Sequence, residues 1–411
     1  NNLDYLATIQ WKEDIDFDGT GNNEQSFSSF YQTLRVEIAD NKENVLKSGV
    51  VKPEDADKIL PYIDIDLPET ALLKNQMMML DILANNDWER PIYFTGGSYD
   101  EAEYIWMKKY LQLEGLVYKL VPIETDLGKE NPYLMGRIDS DLMYDIVLQW
   151  DWGNSERKDI YHDPETRKNS ISFRSNMARL AEQLINEEKY DKAKTILDLA
   201  IEKMPLDYFG YYSLLVPFVD GYYRIDAIEK AQDLSQKIAY KYADRLEYFT
   251  SLDANTQYGL GEEIITEIER YRTLVEADLK HAEKSNLAPM LNQFLGATLP
   301  FKFLYGDYEF YTSLVDVAEG YYLIDEIELA QNLSIKIADQ YSKRMKLFAQ
   351  FSPSNQPQLQ DRIKQEWTSY NYFLQIINSF DDTSFFKSLE EQYNENVLRF
   401  NSELDSVPSN E

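Results

Sequence analysis

The sequence contains no cysteine and only two histidines, His162 and His281, among its 411 residues. The absence of cysteine excludes disulfide bonds, thiolate nucleophiles and cysteine-ligated zinc sites. With two histidines, a centre in which several histidines bind one metal ion is not expected. Any metal ion would therefore be bound by oxygen atoms, and we expect no cofactor.

Basic residues and long apolar runs are also scarce. The 41 Lys and Arg residues stand against 72 Asp and Glu residues, which gives a net charge of −31. This charge would repel a phosphate backbone or an anionic membrane surface, so nucleic acid is not expected as a partner. No apolar stretch approaches the ~20 residues that cross a membrane. Because the chain begins Asn1-Asn2 and shows no signal peptide, we expect a mature protein or a segment of a longer one.

Patterns of strand and helix alternate in residues 1–155, after a polar start of ~30 residues that could be irregular. Period-two alternation or short apolar runs predict strands at 34–38, 63–67, 92–94 and 116–121. Helical spacing predicts helices at 53–60, 70–84 and 101–113. This alternation predicts a small α/β module.

The stretch from residue 80 to residue 94 is the most informative part of that module. An apolar helical run ends at the polar cluster Asn85-Asn86-Asp87, and the short strand 92–94 follows. Pro91 cannot donate a ladder hydrogen bond, so it can stand only at the start or edge of a strand. We therefore predict a helix, a sharp turn and a strand, with Trp88 filling the joint and no catalytic role.

Three aspartates near the start, Asp14, Asp16 and Asp18, precede Gly19 and allow three interpretations. They fit the front half of a calcium-binding loop, although Gln25 stands where a bidentate Glu is required. They also resemble the nucleophile motif of haloacid-dehalogenase-like phosphatases, but no buried strand precedes them. A polar turn is the interpretation we favour, because Asp and Gly are common turn formers.

Residues 156–411 are predicted to form an all-α array of tetratricopeptide-like repeats. Apolar and small residues occur at the spacing of one such unit, with small residues where two helices must approach closely. They are Met177, Leu180, Ala181, Leu184, Ala193, Leu197, Ala200 and Pro205. Further helices are predicted at about 261–284, 358–380 and 384–403.

A longer repeat of 99 residues lies within this array. Residues 221–249 and 320–348 align without a gap, and 17 of the 29 pairs are identical, far more than unrelated segments would share. The domain organisation expected from the sequence is thus an α/β module over 1–155 and a helical repeat domain over 156–411. The fold class is α+β overall.

Tyrosines recur in both copies of the repeat and form the candidate binding residues. Partner or glycan binding would use aromatic stacking on a concave surface. Packing in the helical core is the interpretation we favour, because aromatic residues at helical spacing are usually buried. The candidates are Tyr212, Tyr222, Tyr223, Tyr311, Tyr321 and Tyr322.

Several segments, in order along the chain, resemble one family of multi-span membrane proteins. They are Ile63–Asp66, Lys74-Asn75, Leu80–Phe94, Tyr110–Pro122, Asp139–Tyr144, Trp152–Asn154 and Arg174–Leu184. The family is common in Bacteroidetes, was long of unknown function and is related to protein O-mannosyltransferases. The chain resembles its C-terminal soluble region, and the Asp14–Gly21 stretch is not part of the pattern.

The resemblance implies an accessory domain on the periplasmic face of the inner membrane. The membrane spans and the catalytic loop of that family lie upstream of the similar region, so no catalytic residue transfers to this chain. The full-length protein would be a glycosyltransferase, and this chain would not be an enzyme on its own. The repeats would bind an acceptor polypeptide or a protein partner, and attachment to the membrane would come only through the upstream region.

Two other functions remain open from the sequence. The first is a glycan-binding protein that resembles the outer-membrane starch-binding lipoproteins, which also combine tetratricopeptide helices with many aromatic residues. The second is an independent hydrolase, which rests only on the abundance of carboxylates.

Overall fold

The computed structural model describes residues 8–11, 27–30, 35–66, 74–95, 105–127, 135–283, 285–351, 360–380 and 386–405. The fold is α+β: strands occur near the N-terminus and a helical array follows, as the sequence predicts. Contacts divide the chain into two compact units, residues 1–210 and 211–411. The predicted domain boundary after residue 155 stays a prediction.

The strands of the first unit form three sheets within the described residues. Two are antiparallel pairs, β1 with β2 and β3 with β4, and the third has the order β5-β7-β6-β8. The strands are β1 Thr8–Trp11, β2 Phe27–Phe30, β3 Arg35–Ala39, β4 Tyr62–Asp66, β5 Tyr93–Thr95, β6 Leu111–Glu114, β7 Val117–Leu120 and β8 Arg137–Ile138. The four predicted strands are thereby confirmed as β3, β4, β5 and β7.

The hairpin of β6 and β7 corrects the predicted helix at 101–113. Within the described residues of that range, Ile105–Tyr110 is a 3-10 helix and Leu111–Glu114 is a buried strand. Gly115, with φ of +66°, makes the turn that lets β6 pair with β7, so the backbone bonds of β6 go to the ladder. The predicted helix at 53–60 is likewise only a 3-10 turn, Pro53–Asp55, because Pro starts it and no apolar face extends it.

The predicted joint between helix and strand is confirmed. Helix α2 (Lys74–Asn86) ends where Asp87 and Trp88 both take positive φ angles, and the Trp88 side chain is buried. The side-chain amides of Asn41 and Asn44 donate to the Asp87 carboxylate at 3.0 and 3.1 Å. These bonds hold the turn against helix α1 (Lys42–Lys47), so the chain direction at the joint is set by hydrogen bonds as well as by Trp88.

The first unit ends with helices α3 (Ser140–Leu148), α4 (Pro164–Asn186), α5 (Tyr190–Lys203) and the short α6 (Leu206–Phe209). Ala181 and Ala193 are buried where α4 packs against α5, as the repeat pattern predicts. The buried guanidinium of Arg174 donates to the carbonyls of Gly210 and Met204 at 2.5 and 2.7 Å. Burial lowers the pKa of Arg174 to about 10, so the group stays charged near neutral pH.

The second unit is helical throughout its described residues. Its main helices are α7 Val216–Arg224, α8 Ile228–Thr250, α9 Ala254–Gly259, α10 Gly261–Leu279, α11 Leu287–Thr298, α12 Lys302–Tyr305, α13 Asp307–Thr312, α14 Val315–Leu323, α15 Ile327–Phe348, α16 Gln360–Asn378 and α17 Lys387–Asp405. Helices α10, α16 and α17 confirm the three predicted repeat helices, although α10 ends before residue 284. Among the helices that the structure describes, none has both the length and the apolar character needed to cross a membrane.

The 99-residue repeat extends further in the structure than the identical residues show. Adding 99 to the residue numbers pairs α7 with α14, α8 with α15, α10 with α16 and α11 with α17. We call residues 212–298 the first copy and residues 311–397 the second copy.

Asp40 generates a prediction about pH. Burial raises its pKa to about 8, and the Trp88 side chain offsets only part of that rise. A folded-state pKa above the unfolded value of ~3.9 means that the protonated form stabilises the fold. This contribution is complete below about pH 4 and is lost as the pH rises through about 8.

Asp40→Asn should therefore lose stability less steeply between pH 5 and pH 9 in urea unfolding. Exposed Asp57→Asn is the control, and identical pH profiles for Asp40→Asn and the wild type would contradict the assignment.

Gly136 generates a prediction about the sheet. Its φ is +61°, and an added Cβ would collide with the carbonyl group of Leu111 on strand β6. Gly136→Ala should therefore cost more than ~4 kcal/mol of unfolding free energy, because strand pairing must open. Gly153 also has positive φ but open space around it, so Gly153→Ala should cost only about 1–2 kcal/mol. If chemical denaturation gives equal losses of unfolding free energy for the two variants, the close approach of Gly136 to β6 does not constrain the sheet.

Candidate functional site

A buried carboxylate lies at the centre of the first copy. Asp278 on α10 accepts hydrogen bonds from the Tyr223 hydroxyl of α7 at 2.9 Å and from Ser235 Oγ of α8 at 2.5 Å. Its side chain is almost completely inaccessible to solvent. Burial raises the pKa of Asp278, and the two hydroxyl donors lower it only in part. The carboxylate thereby connects three helices through one buried group.

A second polar pair fixes the ring of Tyr223. The His281 ring stacks on the Tyr223 ring, with centroids 4.8 Å apart and planes 24° apart. His281 Nε2 lies 2.9 Å from Asp220 Oδ1 on α7. Tyr223 therefore has its ring face and its hydroxyl both engaged, and burial together with Asp278 raises the pKa of Tyr223.

A cavity of about 270 Å³ opens above this network, between α8 and α11. Its lining includes the carboxylates of Glu229, Asp233 and Asp278 and the side-chain amides of Gln232 and Gln236. Among the described residues that line it, none is Lys or Arg. The cavity therefore offers hydrogen-bond acceptors and amides, together with negative charge.

A second cavity of about 300 Å³ continues along the same two helices and shares Gln293 with the first. Small residues line much of it, namely Ala243 on α8 and Gly296 and Ala297 on α11. We call the two adjoining cavities the first-copy groove. The groove is polar at the end where Asp278 lies, and small side chains line its other end.

The second copy replaces the polar network by apolar contacts. Ile377 and Phe380 stand at the positions equivalent to Asp278 and His281. Tyr322, the equivalent of Tyr223, stacks on Phe380 with centroids 4.2 Å apart. Its hydroxyl donates to the Ser379 carbonyl at 3.0 Å instead of to a carboxylate.

The second copy also carries larger side chains where the first-copy groove is open. Glu395 and Asn396 stand at the positions of Gly296 and Ala297. The equivalent of Pro300 is Arg399, whose guanidinium donates to the Ala349 carbonyl at 2.6 Å. The equivalent of Ala243 is Ser342, which donates to Gln392 Oε1 at 3.1 Å. The first copy therefore has an open groove at positions where the second copy has long or hydrogen-bonded side chains.

Both copies share one acid–arginine pair that is structural. Glu267 accepts from Tyr212 at 2.8 Å and lies 3.7 Å from Arg245. In the second copy Arg344 pairs with Glu366 at 3.0 Å, and Tyr308 donates to the same carboxylate. A recurring pair at both positions indicates a requirement of packing.

The structure buries Tyr222, Tyr223 and Tyr321 and leaves the other three candidate tyrosines half-buried. The Tyr212 hydroxyl donates a hydrogen bond to Glu267, and the Tyr322 hydroxyl donates one to the Ser379 carbonyl. Partner or glycan binding by these six residues stays a prediction. The buried rings could contribute to it only by holding neighbouring residues in place. Asp14, Asp16, Asp18 and Gln25 of the candidate calcium loop lie outside the described residues.

The groove residues escaped the sequence analysis because glutamine, alanine and glycine on a helix are inconspicuous. The sequence does contain a signal for these residues, because the 99-residue alignment of the two copies extends beyond residue 249. It pairs Glu267 with Glu366 and Tyr271 with Tyr370, and it shows Asp278 opposite an isoleucine. Where the two copies otherwise align, a position at which they differ indicates a role that only one copy has.

The two copies supply a matched test of the buried network. Tyr223→Phe should destabilise the protein by about 1–3 kcal/mol, because a buried carboxylate loses a donor. Tyr322→Phe removes a hydroxyl from a more exposed carbonyl and should cost less than about 1 kcal/mol. Urea unfolding measures both values, and equal losses would contradict a special role for Asp278.

Comparison with known proteins finds a similar family. A family model described as TMEM260-associated domain 2 matches residues 3–142, about a third of the chain. No curated protein and no solved structure matches the chain. The matched range contains those segments of the resemblance that lie within 63–122, does not reach those at 152–154 and 174–184, and ends before the helical array. Residues 3–142 are thus similar to a domain associated with TMEM260.

Proposed function

We propose that this chain is the accessory region of a TMEM260-like membrane protein and that its repeats bind a polypeptide in the first-copy groove. The observation that carries the proposal is the difference between copies: the groove is open in the first copy, whereas the second copy carries longer or hydrogen-bonded side chains at the equivalent positions. The family match over residues 3–142 supports the association with a TMEM260-like protein.

The wider assignment follows the resemblance described above. The catalytic, membrane-embedded part of the protein would lie upstream of this region, and the chain would lie on the periplasmic face as a non-catalytic tail. The α/β module would join that part to the helical repeats, which belong to the tetratricopeptide class. The bound polypeptide would be the acceptor of the transferred sugar or a protein partner of the enzyme.

The chemistry of the groove suits an extended polypeptide. Each of the side chains of Gln232, Gln236 and Gln293 offers both a donor and an acceptor, as a peptide backbone does. Gly296 and Ala297 present no bulk, so a backbone can approach closely. Helix α8 is long enough, at about 34 Å, for a groove that takes roughly ten extended residues.

The charge of the groove lining limits which polypeptide segments would bind. The lining carries four carboxylates, those of Glu229, Asp233, Glu247 and Asp278, and no Lys or Arg among its described residues. A neutral or basic segment would be attracted, whereas an acidic one would be repelled. The net charge of −31 adds to the same preference.

Glycan binding is the second candidate. Amides and carboxylates also bind the hydroxyl groups of sugars, and the groove is rich in both. The groove lacks an exposed aromatic face among its described lining residues, which makes stacking on a sugar ring weaker than in an aromatic platform. Polypeptide binding is therefore the function that the geometry favours.

A pair of glycine substitutions tests the proposal. Gly296→Glu introduces into the groove the residue that the second copy carries, and an added Cβ meets no atom within 4 Å. Gly259→Glu adds the same charge at a helical glycine outside the groove, also in open space. A library of displayed ten-residue peptides should yield binders of the wild type that bind Gly296→Glu at least ~10-fold more weakly, a loss of about 1.4 kcal/mol. Gly259→Glu should bind them as the wild type does.

The outcomes separate the candidates. No peptide enrichment on the wild type, or equal binding by all three proteins, would contradict polypeptide binding in the groove. Glycans that bind the wild type and lose affinity only for Gly296→Glu would instead establish the glycan-binding alternative.

A further inference from the structure

We propose that three exposed apolar side chains at one end of the first-copy groove bind an apolar side chain of the polypeptide that lies in the groove. Tyr258 is 70% exposed, Leu299 is 48% exposed and Phe303 is 44% exposed. We call these three residues the end patch. The inference rests on the function proposed for the groove, because it names a side chain that the bound polypeptide must carry.

The end patch adjoins the groove where α11 ends. Pro300 lines the groove, and Phe303 follows it by three residues in a continuous helical segment, first the 3-10 helix Leu299–Phe301 and then α12. Residues three or four apart on a helix are neighbours on its surface, so Phe303 stands beside both Pro300 and Leu299. The apolar surface of the end patch therefore begins where the lining of the groove ends.

Helix α9 brings Tyr258 to the same end of the groove. The side-chain amide of Gln257 donates to the Leu252 carbonyl at 2.8 Å and to the Thr250 carbonyl at 3.4 Å. Because Thr250 lines the groove, these bonds hold α9 against the last turn of α8 beside it. The Tyr258 ring contacts the Phe303 ring, with centroids 5.7 Å apart and planes 46° apart. The end patch is thus built from two segments that both adjoin the groove.

The second copy has no aromatic residue at either of the two equivalent positions. The 99-residue offset places Ser402 opposite Phe303 and Pro357 opposite Tyr258. Ser402 is exposed on α17, so this position of the repeat does not need an aromatic side chain for packing. The aromatic pair therefore accompanies the open groove of the first copy, as expected if the two bind one ligand.

The chemistry of the end patch favours an apolar side chain as its ligand. Among the three residues, only Tyr258 can form a hydrogen bond through its side chain. A sugar would lose water from its hydroxyl groups and find few partners, and the tilted rings offer it no flat platform for stacking. An aliphatic or aromatic side chain instead removes apolar surface from water, which stabilises the complex.

Gly259 follows Tyr258 in the chain but does not face the rest of the end patch. An added Cβ at Gly259 would lie more than 4 Å from both Leu299 and Phe303. Gly259→Glu therefore leaves the aromatic pair in place and remains a suitable control for the groove.

Peptides selected from the displayed ten-residue library on the wild type should share an apolar residue at one position near an end. Replacing that residue by serine should weaken binding to the wild type at least ~10-fold, as measured by calorimetry. The double variant Tyr258→Ser with Phe303→Ser should bind the original peptide at least ~10-fold more weakly than the wild type does. It should bind the original and the serine peptide within about twofold of each other, because the two changes remove the same contact.

Leu398→Ser is the matched control, because Leu398 is the equivalent of Leu299 in the second copy and is 70% exposed. This variant should bind the original peptide within about twofold of the wild type. Thermal unfolding establishes that each variant is folded. If the double variant unfolds, Tyr258→Ser alone replaces it, since Tyr258 is the most exposed residue of the end patch.

The outcomes separate this inference from the function proposed for the groove. Selected peptides without a shared apolar residue, or an equal loss from the serine peptide in the wild type and the double variant, would overturn the end patch alone if Gly296→Glu still weakens binding. A glycan that loses affinity for the double variant while the peptides do not would also overturn it. The absence of any peptide enrichment on the wild type would overturn both proposals.

Discussion

The buried carboxylate of Asp278 is the constraint on which the first copy of the repeat depends. A carboxylate inside a protein must be hydrogen-bonded or protonated, since leaving it unpaired costs several kcal/mol. Tyr223 and Ser235 supply its donors and thereby fix how α7, α8 and α10 meet. The second copy has Ile377 at that position and closes with apolar contacts. This substitution accompanies those at Ala243, Gly296 and Ala297, and together they distinguish the copy with a polar, open groove from the other copy.

Much of the fold followed from local patterns, whereas the groove did not. Alternation predicted strands β3 and β4, and the joint at Trp88 followed from a helix stop, a proline and an apolar triplet. Strand β6 was missed because Leu111–Glu114 satisfies a helical as well as an alternating pattern, and only its pairing with β7 decides between them. The groove depends on Gln293 of α11 and Ala243 of α8, which are 50 residues apart and are brought together only by packing.

The family match and the groove concern different parts of the chain. Residues 3–142 carry the similarity to TMEM260-associated domain 2, whereas the groove lies on α8 and α11 of the second unit. The match therefore supports an association with a TMEM260-like protein, and the proposed binding of a polypeptide rests on the geometry of the repeat.

Backbone amide shifts of the labelled chain during titration with a selected ten-residue peptide test the central claim most directly. Each copy serves as the control for the other, because Gln293 and Gly296 have Gln392 and Glu395 as their equivalents. Binding in the first-copy groove predicts saturable shifts at Gln293 and Gly296 with no change at Gln392 and Glu395. Shifts of equal size at both pairs, or shifts confined to residues outside α8 and α11, would contradict the account.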